Sequence, residues 1–549
     1  IAVKTRNFFN EKGLYGKRIV VHKKSGNQLP YPDFMFNFIC VDINALKGAE
    51  PLLSEYYRLL RPFGTLAIGG KKGASEALTL AHKPLVELVA SSPDIKRKFH
   101  SVKDQQWHVI NRGRLPGSGE WSHQYADPGN TACSEDMRIS GDLRLQWYGK
   151  PGPYRMFDRH SYTTAPVYSS GRLFTLGERI LYANDAYNGR LLWEKELPSM
   201  APRVNLPRDC GYMVTDRDHV YLAVENNCIK VNARSGKTET EFNCPKIDDD
   251  HDYNWGYVAT TDGLLFGSSV RSGNFYTEGR GPWYDDSGFN NAQDSHKVLS
   301  DCLFAVDLAG NSRAWKYNGV IINSTIAIGG DQIYFVENRN PKVLQDKSRR
   351  LSGGKEWMAL HLVALDVKTG KRVWDKDMQF EQRTPVFFST YKDGTLIVLR
   401  SSSKSFDLRA IDAKSGKSLW NRDHGWENNH HGAHRRHPVI IGDVVYQQPH
   451  AYDLKTGKEK WSTSKVGVGG NCGTLSASST MLFSRLSDYP GFIDLGKGMN
   501  KENLVEITRP GCWINIIPVG GMVLVPEAGS GCSCEYSIHA SMGFLPRKN

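Results

Sequence analysis

The sequence predicts a mainly β chain: an eight-bladed β-propeller preceded by a small, incomplete α/β segment. Three observations carry this. A hairpin unit, Asp-x-x-x-Gly-x-x-x-Trp, recurs with identical spacing in four copies. Its copies stand one blade apart. The first stretch of the chain follows a different, β-α-β order.

The hairpin unit reads Asp185…Gly189…Trp193, Asp366…Gly370…Trp374, Asp412…Gly416…Trp420 and Asp453…Gly457…Trp461. A looser copy runs from Asp307 to Trp315 with the glycine at Gly310, and a degenerate one has Asn232, Gly236 and Thr240 in place of Trp. An apolar strand such as Leu362-Val-Ala-Leu365 leads into each turn. Gly supplies the positive φ that the turn needs, and Asp caps its backbone. The closing Trp is expected to pack between neighbouring blades, which cannot bury both faces alone. Successive Asp or Asn positions lie 47, 75, 59, 46 and 41 residues apart, so two blades carry insertions. Residues 474–493 and 512–534 supply two further units. Leu143–Trp147 is a strand upstream of the first hairpin, and it can complete the last blade and close the ring.

Residues 1–70 predict a helix at Thr5–Lys12, strands at Arg18–His22 and Asn37–Asp42, a helix at Glu50–Leu60, and a strand through Arg61–Gly69. The expected division is residues 1–100 for the α/β segment, 101–139 for a linker, and 140–549 for the propeller.

The repeat resembles that of the PQQ-like propellers of quinoprotein dehydrogenases. Longer pieces resemble bacterial multidomain proteins carrying that repeat: Gly119–Asn130, Leu145–Gly149, Asp158–His160, His431–Pro438 and Arg509–Asn515. The N-terminal segment, with Leu60-Arg-Pro-Phe-Gly64, resembles the second half of a Rossmann-like class I SAM-dependent methyltransferase. The glycine-rich motif that binds the cofactor in that family has no counterpart here, which implies a vestigial subdomain. In the dehydrogenases PQQ lies against a disulfide of adjacent cysteines. The nearest spacing here is Cys532-Ser-Cys534, a departure that argues against PQQ.

The chain has 549 residues, a net charge of +12 and a hydrophobic fraction of 40%, enough for a packed interior. Its Lys and Arg are dispersed, often at turns such as Lys368, Lys371, Lys414 and Lys417, which argues against nucleic acid and suits an anionic polysaccharide or a small polar substrate. No apolar run approaches the ~20 residues of a membrane span. Ile1–Asn7 has no Met and no signal-like pattern, as expected of a processed or truncated chain. Ten cysteines include no C-x-x-C pair. Cys472, Cys512, Cys532 and Cys534 cluster late and predict at least one disulfide. With the resemblance, this implies a periplasmic or secreted protein.

The densest chemistry is Asp423–Pro438, a loop between two blades. His431, His434 and His437 are spaced three apart, so one helical turn can bring three imidazoles to one divalent transition metal. His424 or Glu427 is the nearest general base, and Arg435 or Arg436 can hold an anionic group. Gln448 is a further candidate at this site. Arg208-Asp-Cys210, Trp255-Gly-Tyr257 and Glu527 are weaker candidates along the axis. The reading is a metal-dependent enzyme acting on carbohydrate or another polar polymer. The alternatives are a quinoprotein-type oxidoreductase and a non-catalytic binding or scaffold propeller.

Overall fold

The structure is a computed structural model that describes residues 2–23, 28–46, 52–71, 95–102, 105–156, 164–199, 210–273, 297–347, 349, 351, 358–378, 387–401, 405–425, 436–462, 473–486, 489–511, 514–527 and 538–547. The chain is mainly β and divides into two compact units, Ile1–Pro116 and Gly117–Asn549. That division falls inside the stretch read as a linker: Gln105–Arg112 is a strand of the first unit, and residues 117–139 belong to the second.

In the first unit, Phe36–Asp42 pairs in parallel with Leu60–Lys71, and the helix Leu53–Leu59 lies between them in sequence. Gln105–Arg112 and Ile95–Val102 extend the sheet antiparallel. Val41, Leu53, Leu66, Ile68 and Ile110 form its core. One sequence expectation is corrected. Arg18–His22 is not a strand; the only pairing there is an isolated bridge between Tyr15 and Ile19. Val20 is exposed, so this apolar run finds neither a sheet partner nor a core to enter.

Among its described residues, the second unit holds six four-stranded antiparallel sheets and one seven-stranded sheet. The long strand Ser312–Gly329 explains the seven. Its first part pairs with Leu299–Asp307 and its last part with Gln332–Asn338, across an irregularity between Ile322 and Ala327. Leu143–Gly149 pairs with Ser541–Pro546, so the first strand of the unit completes its last sheet. In the 167–196 sheet burial falls along the meander: Val167–Ser169 is fully buried, while Leu191–Glu196 is half exposed. The first strand of such a sheet is therefore innermost and the fourth outermost.

The repeat motif has a direct physical reading. The indole N–H of Trp374 donates to the carbonyl of Ala413, directly after Asp412 of the next copy, at 2.9 Å. Trp147 reaches Ala186, Trp193 reaches Ala233, Trp315 reaches Val367 and Trp420 reaches Leu454 in the same way, at 2.8–3.1 Å. Each of these rings lies on the glycine of the next turn. A Cβ on Gly416 would sit 2.9 Å from the Trp374 ring, and one on Gly457 2.5 Å from Trp420. These glycines also have φ near +70°, so conformation and space both exclude a side chain. The Trp of one copy and the Gly of the next thus meet between successive copies of the motif, not within one hairpin.

Candidate functional site

Residues 119–136 contain no named helix or strand. They form a belt that meets the innermost strands in succession. The Gly119 carbonyl accepts from Gly520 N, Trp121 pairs with Tyr168, and the Ser122 carbonyl accepts from Thr215 N. His123 Nε2 accepts from Thr260 N at 3.1 Å. The Pro128, Gly129, Thr131 and Ala132 carbonyls accept from Ile328, Tyr391, Ile440 and Ala477. The Asp136 carboxylate then accepts from Gly119 N and Gly521 N, returning to the sheet where the belt began. Innermost strands have one edge without a sheet partner, and the belt satisfies part of that edge.

His123 is consequently a structural histidine. Ser122 Oγ meets its Nδ1 at 2.7 Å, its Nε2 accepts a backbone N–H, and burial pushes its pKa down to about 3. Asp127, bonded by the Thr131 hydroxyl, is pushed up to about 6 by burial.

The belt borders a small cavity of about 20 Å³ that opens to solvent. His123, Gln124, Tyr125 and Asn130 of the belt line one side; Cys210, Gly211, Tyr257, Val258, Ser324 and Ile326 line the other. The His437 ring stacks on Tyr125 at 3.7 Å between centroids and 14° between planes, and Phe388 lies 4.9 Å from His437. His437 Nδ1–H donates to the Pro438 carbonyl at 2.6 Å, which leaves Nε2 as a bare lone pair without a partner. Burial pushes the His437 pKa down to about 3, so the ring is neutral.

Of the residues singled out by sequence, His431, His434, Glu427 and Arg435 lie outside the described residues, as do Asp158–His160, Arg208, Asp209, Cys472, Cys512, Cys532 and Cys534. His424 stands on the outermost strand Ser418–Gly425, bonded through Nδ1 to Tyr452 OH at 3.0 Å and 4.4 Å from the His450 ring. Burial, and then His450, lowers its pKa to about 4. His437 instead precedes an innermost strand, so these two histidines occupy different radial positions. Cys210 and Tyr257 do line the cavity. Arg436, Gln448 and Glu527 are buried. Among the described residues, no three His, Cys, Asp or Glu side chains come together as a metal site.

Sequence reasoning missed the role of the belt. The belt carries neither the alternation of a strand nor the period of a helix, yet it holds a fully buried Trp121. Its sequence signal is the Gly119–Asn130 piece that carries part of the resemblance.

The architecture resembles solved structures. A europium-containing methanol dehydrogenase superposes with a TM-score of 0.51 at 11% identity, covering 74% of this chain and 89% of that one. The quinohemoprotein alcohol dehydrogenase of Comamonas testosteroni gives 0.48 at 13% identity, covering 78% and 82%. BamB from Moraxella catarrhalis gives 0.40 at 11% identity, covering 71% and 97%. Likeness at such identities is likeness of fold. No curated protein matches the chain. Residues 358–485, the stretch holding three of the four regular Trp hairpins, match the family described as outer membrane protein assembly factor BamB.

Proposed function

We propose that the second unit is an eight-bladed propeller of an extracytoplasmic protein, and that it binds a small polar ligand in its axial cavity. The blade count follows if the seven-stranded sheet serves as two blades sharing one long strand. The cavity carries the functional reading. Polar side chains, His123, Gln124, Asn130, Tyr257 and Ser324, share its wall with the apolar Val258 and Ile326, and the belt backs it; the neutral His437, with a bare ring nitrogen, stacks on the lining residue Tyr125. The extracytoplasmic reading is supported by the description of the matched family. No helix among the described residues is long and apolar enough to cross a membrane. For the first unit we propose a vestigial methyltransferase-like subdomain.

Calorimetric titration with small hydroxylated acids and sugars tests the binding reading. Val258→Phe fills the cavity without removing a polar group, and it should weaken binding at least tenfold. Saturable binding that this variant leaves unchanged would refute the assignment.

One observation keeps a metal reading alongside. The bare Nε2 belongs to His437, which with His431 and His434 forms the three-imidazole set expected for a divalent transition metal. Glu427 or His424 would be the base there and Arg435 the anion clamp, on carbohydrate or another polar polymer. Metal content of purified wild type and His434→Ala decides it: equal content in both removes the site.

The quinone oxidoreductase reading fits less well. Neither the sequence nor the described residues supply the adjacent cysteine pair that lies against PQQ in the dehydrogenases.

A further inference from the structure

At about 20 Å³ the cavity beside the belt has room for one water-sized group, which needs roughly 10–15 Å³. Several of its polar atoms are already committed. The ring nitrogens of His123 are bonded to Ser122 Oγ and Thr260 N. Asn130 Nδ2 donates to the Ile326 and Ser389 carbonyls, at 2.8 and 3.1 Å. Ser324 Oγ donates to the Phe387 carbonyl at 2.7 Å. Gln124 Oε1 and the Tyr125 hydroxyl, by contrast, are buried without a hydrogen-bond partner. Buried polar groups are otherwise almost always paired.

Both groups end at the opposite wall of the cavity. A Cβ on Gly211 would lie 2.8 Å from Gln124 Oε1. The side chain of Cys210, the residue before it, acts electrostatically on the Tyr125 hydroxyl and on that of Tyr257. The amide oxygen and the phenol therefore meet two successive residues of the inner strands' side.

The wall is also uncharged. No lining residue carries a carboxylate, an ammonium or a guanidinium. Burial pushes the His123 pKa down to about 3 and raises the Tyr125 and Tyr257 hydroxyls, so all three rings are neutral. An ion entering here would shed water without meeting an opposite charge. Gln124 Oε1 can only accept, whereas a phenol can donate. One acceptor beside one donor complements an alcohol hydroxyl, which gives one hydrogen bond and takes one. A carboxylate asks for donors throughout, and an ammonium for acceptors.

We propose that Gln124 and Tyr125 form a subsite that reads one hydroxyl of an uncharged polyol, the hydroxyl donating to Gln124 Oε1 and accepting from Tyr125. This rests on the axial ligand-binding reading and names its ligand class. A cavity of this size takes one hydroxyl, and the rest of the ligand lies at the solvent-open mouth. Further hydroxyls suit that position.

The experiment titrates the full chain with glycerol, D-galactose, D-galacturonate and D-galactosamine. Calorimetry reads affinity, and thermal unfolding reads the ligand-free state. Glycerol or galactose should bind saturably, and neither charged sugar should bind more than threefold tighter than the better of these two. Tyr125→Phe keeps the ring that stacks on His437, and Gln124→Met keeps the length of the side chain. Each removes one partner and should weaken the neutral ligand about fivefold or more. Each should also leave the ligand-free Tm equal to or above that of wild type, because the atom removed bonds nothing in the protein. A structural role would lower it. A charged sugar that gains more than threefold would overturn the uncharged class; if Val258→Phe weakens it, the cavity reading stands. Neutral binding that neither variant weakens, or a Tm that both variants lower, would overturn the subsite. Binding of none of the four would overturn it as well, and titration of other small polar ligands against Val258→Phe still tests the cavity separately.

Discussion

Asp136 accepts the backbone N–H of Gly119 at 2.8 Å and so joins the two ends of the belt. The same carboxylate holds Gly521 N at 2.7 Å and Arg138 N at 2.9 Å. Replacing it with alanine strands buried donors, each worth roughly 1–3 kcal/mol. Asp136→Ala should therefore destabilise the second unit by about 3 kcal/mol or more in urea unfolding. Asp136→Asn keeps one acceptor oxygen and should lose less. Equal stability of both variants with wild type would mean that the belt is not held at this point.

Trp374 and Gly416 should behave as one unit. Gly416→Ala meets both the φ of +69° and the indole at 2.9 Å, so it should cost about 2–4 kcal/mol. Trp374→Phe loses the bond to the Ala413 carbonyl and should cost about 1–2 kcal/mol. The pair should be non-additive, since the smaller ring relieves part of the clash. A double-mutant cycle with coupling below about 0.5 kcal/mol would contradict this packing.

Stability should fall as pH drops below 6.5. His123, His424 and His437 have lowered folded pKa values, about 3, 4 and 3. Their contribution is present above the unfolded value near 6.5 and is lost as the unfolded chain takes up protons that the folded chain refuses. Asp127, raised to about 6, works oppositely: its contribution is present at low pH and is lost as pH rises through 6. Asp136, also raised by burial, shares that direction. Three histidine protons against the one of Asp127 leave a net slope of up to about 2.7 kcal/mol per pH unit near pH 5, towards lower stability at lower pH. Urea unfolding at several pH values measures it, and His437→Gln should flatten the slope by about 1.4 kcal/mol per unit.

Thiol labelling should be selective. Among the described cysteines, Cys40, Cys133, Cys228, Cys244 and Cys302 are free thiols, and Cys40 is exposed. Burial pushes Cys133 and Cys302 up to about 12 and raises Cys228 as well. A maleimide at neutral pH should modify Cys40 first and spare these three until unfolding. Early labelling of Cys228 would show that its sheet opens readily. Peptide mapping of unreduced protein should find at least one disulfide among Cys472, Cys512, Cys532 and Cys534.

The sheet framework was legible because a period survives in the chain: strand, turn, Gly and Trp recur with fixed spacing. What the Trp touches was legible only in kind. Its contact with the next Gly joins residues about forty apart in sequence, as Trp374 and Gly416 show. The site was harder to read. His437 stood out by its neighbours in sequence, but its role depends on Tyr125, three hundred residues upstream. Val20 misled because an apolar run signals a strand only when a partner edge exists.

The belt also bears on how such a chain can change size. Repeat architectures ordinarily lengthen by duplicating one unit, since each unit needs only its neighbours. Here a single segment makes one stop per innermost strand and then closes on itself through Asp136. An extra unit would leave a strand edge that the belt cannot reach, or would pull Asp136 away from Gly119. The segment therefore acts as a gauge that fixes the number of repeats. A viable lineage with one unit more should carry a correspondingly longer stretch between the counterparts of Gly119 and Asp136.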